Sequence, residues 1–140
     1  MPVAHFHLVD DHYPPDRVRS LLERASQLYA EVLGSPVDRV RVFAVRYRAE
    51  EVATGGTVVA AGGAAAPFFT AIVLAGRPEE QRHALLAGFT DLLVEELGCP
   101  RELVRGRIEQ VDPADWGIAG GPASSVRSGE IAARQASGRD

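Results

Sequence analysis

Proline stands second in the chain, and trimming of Met1, which a small second residue permits, leaves the Pro2 nitrogen as a terminal secondary amine. An α-amino group titrates near ~7.7–8.0, and burial in an apolar pocket disfavours its cation. A buried terminal proline is then neutral at physiological pH and can take a proton from carbon beside a carbonyl. Held as a cation, it serves instead as a general acid or polarises the carbonyl. Retention of Met1 makes the same nitrogen an amide and no base, and the chain then reads as a non-catalytic oligomeric scaffold. Arg77 is the second candidate. It follows the apolar run of residues 67–75 and precedes a helix, where a cation opposes the helix dipole. Its planar fork suits a two-pronged grip on a substrate carboxylate better than lysine would. His5 and His7, two apart on one face of a strand, suggest with His12, Asp10 and Asp11 a metal site. Paired histidines on a short strand are more often packed or hydrogen-bonded, so proton transfer with no metal and no cofactor is the preferred reading.

The elements that must position these residues occur twice. Displaced by 64 residues, the segment Pro14–Arg41 matches its own continuation at ten of twenty-eight positions, most clearly as LGSPVDRVR against LGCPRELVR. Two units are too few for a solenoid, so the pattern marks duplication of one supersecondary unit. In the first copy, Val3–Val9 reads as a strand and Pro14 and Pro15 open a helix. Val18, Leu21, Leu22, Ala25, Leu28, Tyr29 and Val32 give that helix one apolar stripe. Gly34 and Pro36 end it, and Arg39–Tyr47 is a second strand. The second copy runs strand Pro67–Ala75, helix Pro78–Leu97 and strand Leu103–Val111.

The expected fold is α/β, in the α+β sense: two fused β-α-β units giving a four-stranded sheet with two helices on one face. Phe68, Phe69, Ala71, Ile72, Val73 and Leu74 are apolar on both faces of their strand, so the face without helices needs a cover. Another copy of the chain is the simplest one, which predicts a homo-oligomer. The domain is read as residues 1–121, with the copies at 2–53 and 66–121. The Gly/Ala-rich stretch Thr54–Ala66 is a flexible linker or hairpin, and 122–140 is a tail that is disordered or clasps a neighbouring subunit. A formal charge of −4 with scattered basic residues argues against nucleic acid. No apolar run spans a membrane or makes a usual secretion signal, and the single Cys99 suits a reducing compartment, so the location expected is cytoplasmic.

With Pro2, the β-α-β pattern and the duplication in place, the chain resembles the tautomerase superfamily, whose members are 4-oxalocrotonate tautomerase-like. The run AGRPEEQRHALL, the strand ending in Val111, and Asp115–Trp116 followed by a glycine pair are similar to its malonate semialdehyde decarboxylase-like branch. The resemblance implies a tautomerase/MIF-like fold, a trimer, no cofactor and a small carboxylate-bearing substrate. The reaction implied is keto–enol tautomerisation, or decarboxylation or hydration, of a small oxo acid. It implies that Pro2 is the catalytic base or acid and that Arg77 binds the substrate carboxylate. Asp38 falls where decarboxylase members keep an acidic partner of the proline, although the duplicate position holds Glu102, which leaves a loop role open. Tyr29 takes a helix position that other members use for a polar active-site group, and it either bonds substrate or packs. Trp116 and Ile118 fall where the family places substrate-site residues. Ile118 replaces an aromatic, and Arg77 lacks the second arginine that decarboxylase members keep beside it, so substrate anchoring must differ.

Overall fold

The computed structural model describes residues 2–10 and 12–137; Met1, Asp11 and residues 138–140 lie outside that description. The first unit is β1 (Val3–Val9), α1 (Pro15–Leu33) and β2 (Arg41–Tyr47). A short hairpin, β3 (Ala53–Thr54) and β4 (Thr57–Val58), joins it to the second unit: β5 (Phe68–Leu74), α2 (Glu79–Leu97) and β6 (Arg105–Val111). A second hairpin, β7 (Gly117–Ile118) and β8 (Gly121–Pro122), leads into α3 (Ala123–Val126) and α4 (Ser128–Ser137). The strands after each helix begin two residues later than the sequence pattern suggests. Pro36 and Pro100 are each followed by a single 3-10 turn, Val37–Arg39 and Arg101–Leu103, before extended backbone resumes. The Gly/Ala-rich stretch begins as the β3–β4 hairpin around Gly55–Gly56.

The four long strands form the expected sheet in the order β2-β1-β5-β6. Strands β1 and β2 are parallel, as are β5 and β6, and the two units meet where β1 pairs antiparallel with β5. Phe6 lies opposite Phe69 at the centre of that pairing, so a pseudo-twofold axis passes close by. The helices keep the 64-residue displacement, since Pro15 corresponds to Glu79, but the leading strands are displaced by 65, since Val3 corresponds to Phe68. The turn before α1 absorbs the extra residue. Pro2 therefore corresponds to Pro67, and each proline carbonyl accepts the same bond, from Arg41 N at 3.0 Å and from Arg105 N at 3.2 Å.

Both helices start behind a proline and stop at a left-handed glycine, Gly34 with φ 64° and Gly98 with φ 66°. They cover one face of the sheet. Ala4, Phe6, Leu8, Phe69, Ala71 and Val73 point under them and meet Leu21, Ala25, Tyr29, Leu85, Phe89 and Leu93. Phe89 stands edge-on to Phe6, Tyr29 and Phe69, with centroid separations of 5.4, 5.2 and 5.6 Å, the arrangement aromatic quadrupoles favour. Between the helices, the buried Glu96 carboxylate accepts from Ser20 Oγ and Arg24 Nη1, both at 2.8 Å.

The other face is aromatic rather than aliphatic. Phe43 and Phe68 are 47% and 38% exposed. His5 stacks on Phe43 at 5.4 Å, and His7 lies between Tyr47 at 5.7 Å and Phe68 at 5.4 Å. Burial, and then the charge of His5, lower the pKa of His7, which suits a neutral ring 2.7 Å from the Tyr47 hydroxyl.

Gly106 is the weak point of the packing. It lies opposite Phe69 in the β5–β6 register, and a Cβ there would fall 2.1 Å from Phe69 Cζ. Gly106→Ala is expected to destabilise the fold by ~1–3 kcal/mol through overpacking, measured as a lower midpoint in urea. A Phe69→Leu change in the same background should restore part of the loss.

Candidate active site

Antiparallel pairing of β1 and β5 sets the start of the first strand beside the end of the other. Pro2 and Val73–Leu74 therefore meet at one corner of the sheet, under the C-terminus of α1, and Arg77 follows in the turn to α2. A cavity of about 480 Å³ opens there, within the ~300–1,000 Å³ common for small-ligand sites. Pro2 is buried at its wall. The turn after α1 contributes Ser35 and Arg39, and α2 contributes Gln81. The remaining wall comes from the tail: Arg127, Glu130, Arg134 and Ser137 fall on one side of α4 and its entry, as helical spacing of three and four residues requires.

Arg77 does two things at this corner. Its Nη1 donates to the Leu33 carbonyl at 2.6 Å and Nη2 to Ser35 Oγ at 3.4 Å. The Leu33 carbonyl is among those a helix leaves without partners at its C-terminus, so the guanidinium caps α1 as well as lining the cavity. Burial, with the nearby Arg134 second, brings its pKa down to about 10, still far above neutrality. Arg39 Nη1 donates to Glu130 Oε2 at 3.0 Å. Among the described residues, the cavity is thus lined by four guanidinium groups and one carboxylate in a chain of net charge −4. Arg127 adds a buried Nε–H with no acceptor among the described residues. This wall is cationic.

The duplicated frame supplies an internal control. At the pseudo-equivalent corner Pro67 stands for Pro2, Tyr13 for Arg77, Cys99 for Ser35 and Leu103 for Arg39. Pro67 nitrogen is a main-chain amide and cannot be a base. Tyr13 donates its hydroxyl to the Ala65 carbonyl at 3.0 Å, and Cys99 Sγ reaches the Leu93 carbonyl at 3.4 Å. Burial pushes the Tyr13 hydroxyl up to about 12. The residues that break the repeat's symmetry are those that make one corner polar and cationic and the other a packed end of the core.

Residues 67–124 match the family model described as tautomerase enzyme. A 2-hydroxymuconate tautomerase of Comamonas testosteroni is 44% identical over 54 residues, which are 39% of this chain and 86% of that protein. The chain belongs to the tautomerase family. Solved structures match most of its length. The structure of Pt0534 inactivated by 2-oxo-3-pentynoate aligns with a TM-score of 0.81 at 26% identity, covering 89% of this chain and 98% of that one. A fused 4-OT described as an asymmetric trimer aligns with a TM-score of 0.80 at 25% identity over the same shares.

Of the residues expected at a site, the structure brings Pro2 and Arg77 together and leaves the others elsewhere. Tyr29 is wholly buried, and its hydroxyl is held by the main-chain carbonyls of Ile72 and, at 3.3 Å, Val3. It packs, and burial raises its pKa. Asp38 is exposed in the 3-10 turn, and its neighbour Arg39 lines the cavity instead. Trp116 and Ile118 lie at the β7–β8 hairpin, away from the cavity lining. The Trp116 carbonyl accepts from Ala123 N at 2.8 Å and so fixes the entry to the terminal helices. His5 and His7 sit in the aromatic stacks of the open sheet face, and Asp11, named with them for a metal, lies outside the described residues. Among the described residues, no group of three or more His, Cys, Asp or Glu side chains could hold a metal ion.

The sequence pattern missed Arg39, Arg127, Glu130 and Arg134. The three in the tail stand at helical spacing, which was the available signal, but the segment has no apolar stripe to announce a helix. The cap formed by Arg77 also makes this side chain part of the scaffold. Arg77→Ala is expected to destabilise the fold by ~1.5–3 kcal/mol, the range for hydrogen bonds from charged groups. Arg77→Lys should recover part of it, both read as thermal midpoints.

Proposed function

We propose that the chain is a cofactor-independent tautomerase in which the Pro2 amine, freed from Met1, moves a proton on a small oxo acid. The single observation that carries this reading is the asymmetry of the two corners. Within a duplicated frame, the guanidinium groups gather at the proline whose nitrogen can become an amine.

The chemistry requires no redox step. Burial and neighbouring cations both disfavour protonation of the Pro2 nitrogen, so it acts as a base. It removes a proton from carbon adjacent to the substrate carbonyl, and the electron pair of that C–H bond becomes the enolate. Arg77 and Arg39 hold the substrate carboxylate and offset charge that develops on the carbonyl oxygen. The proton returns from Pro2 to the other end of the conjugated system, which completes the tautomerisation. Support comes from the relative named 2-hydroxymuconate tautomerase and from the Pt0534 structure inactivated by a 2-oxo acid. The malonate semialdehyde decarboxylase-like alternative rests on the Arg77–Gln81 and Asp115–Trp116 motifs. It would use the same proline and arginine and differs in releasing carbon dioxide. In this reading Asp38 and Trp116 support the turn and the tail rather than the reaction.

The same proposal includes assembly. Exposed Phe43 and Phe68, the histidine stacks between them and the trimer formed by a fused 4-OT support a homotrimer that covers the open sheet face. A single domain of residues 1–121, whose cavity is closed by the described part of the 122–140 tail, completes the reading. Among the described residues no helix is long and apolar enough to cross a membrane, and a cytoplasmic location is proposed on composition alone.

The sequence contains no lysine, so a free Pro2 nitrogen is the sole aliphatic amine of the trimmed chain. Intact mass spectrometry should show loss of Met1, and an amine-acylating reagent should add once and abolish activity. Pro2→Ala should lower kcat/KM on a small 2-oxo-4-enoate at least ~10²-fold, the scale of a lost general base. Full activity with Met1 retained would sink the mechanism. Light scattering at micromolar concentration should give three times the chain mass, and a monomer there rules out the trimer.

A further inference from the structure

The last two helices are held in different ways. Helix α3 is anchored: Ala123 is fully buried, and its N–H donates to the Trp116 carbonyl at 2.8 Å. Helix α4 buries none of its residues, yet its Glu130, Ala133 and Arg134 line the cavity beside Pro2. On the other flank of α4, Ile131, Ala132 and Gln135 border a separate groove of about 510 Å³, whose far bank includes Gly76 and Pro113. The helix therefore lies between two spaces rather than on a packed bed. Arg127 joins α3 to α4 with no linker. Its N–H donates to the Ala123 carbonyl at 2.8 Å, and its carbonyl accepts from Ile131 N at 3.0 Å. Its backbone, at φ −118° and ψ 23°, leaves the helical range, and Gly129 weakens the first turn that follows. A junction residue between a fixed element and an unpacked one is where a change in backbone angle is absorbed.

We propose that α4 is a hinged lid over the cavity, turning at Arg127 while α3 stays fixed. Segments that open locally are those with little buried apolar surface, and α4 meets that condition along its whole length. The Arg39–Glu130 pair latches it. The two side chains are 26% and 47% exposed, and an ion pair open to water holds weakly, so the lid lifts without disturbing the core. Opening takes Glu130, Ala133 and Arg134 off the cavity and uncovers Pro2 and Ser35 on the body. Molecules too large to pass the closed helix then reach both residues. The inference rests on closure of the cavity by the tail. It gives α4 no part in proton transfer and holds whether or not Pro2 is a base.

The test puts a thiol on the cavity wall and measures how fast it is reached. Ser35→Cys supplies it, at the position where the duplicate unit already holds Cys99. Two neutral reagents are used, N-ethylmaleimide and the bulkier pyrenylmaleimide, with each tagged peptide read by mass spectrometry. The bulky-to-small ratio of rates cancels the thiolate fraction. Cys99 is buried, reports the core in the same digest and should stay unmodified. In the Ser35→Cys chain the ratio should lie well below that of glutathione. Adding Glu130→Gln should raise it roughly two- to fivefold, the scale of a lost surface ion pair. Adding Ala132→Pro, which breaks α4 from outside the cavity lining, should bring it to the glutathione value with an unchanged thermal midpoint. A ratio equal to that of glutathione before any lid substitution would overturn the proposal, as would one that Ala132→Pro leaves where it was. A lower midpoint or labelling of Cys99 in Ala132→Pro would overturn it too, because α4 would then belong to the core packing. An unchanged ratio in Glu130→Gln would overturn the latch. None of these rates involves Pro2 or turnover, so the lid and the proline mechanism stand or fall separately.

Discussion

The antiparallel ladder between β1 and β5 is the constraint on which the rest of the molecule depends. Each β-α-β unit alone pairs its strands in parallel and leaves the leading strand with an open edge. Joining the leading edges at Phe6 and Phe69 removes both edges at once. The same ladder sets the beginning of one unit beside the end of the other unit's leading strand. Pro2 thereby meets Leu74 and the turn that carries Arg77, residues more than seventy positions away. Without that pairing there is no corner and no cavity. Phe89, edge-on to three aromatic rings under the junction, locks the helices over the same line.

Charge is distributed against the average of the chain. Among its described residues, a molecule of net charge −4 collects four guanidinium groups at one corner and keeps one carboxylate there. Such a wall is costly by itself, since the neighbouring cations repel and burial raises the penalty. Two arrangements lessen the cost. Arg77 donates to a helix-end carbonyl that needed a partner, and Arg39 takes Glu130 from the terminal helix. The first makes a cavity-lining residue part of the scaffold. The second ties the terminal helix to the cavity wall.

Much of the frame was legible because it rests on short-range physics repeated twice. Prolines and glycines bracket both helices, and apolar spacing marks their buried sides. Pro2 and Arg77 were readable too, one by position and the other by an unfavourable location for a cation. Tyr29 was undecidable from spacing because packing and substrate contact ask for the same helix position; its two carbonyl partners come from different strands. Asp38 and Arg39 are adjacent, and only the 3-10 turn decides which faces inward. The tail was opaque for another reason. Its helix carries a charged face toward the cavity in place of an apolar stripe, so its docking depends on a site that exists only after the sheet has formed.

Pro67 carries an evolutionary consequence. Its nitrogen is an amide whatever happens to Met1, so duplication within one chain leaves at most one of the two corners able to supply an amine. Selection for chemistry can then act on a single corner, while the other drifts toward stability. Tyr13, Cys99 and Leu103 record that division of labour as bulk and burial, where Arg77, Ser35 and Arg39 record it as charge. Within the duplicated frame the two corners have diverged, one into a polar, cationic cavity and the other into packed core.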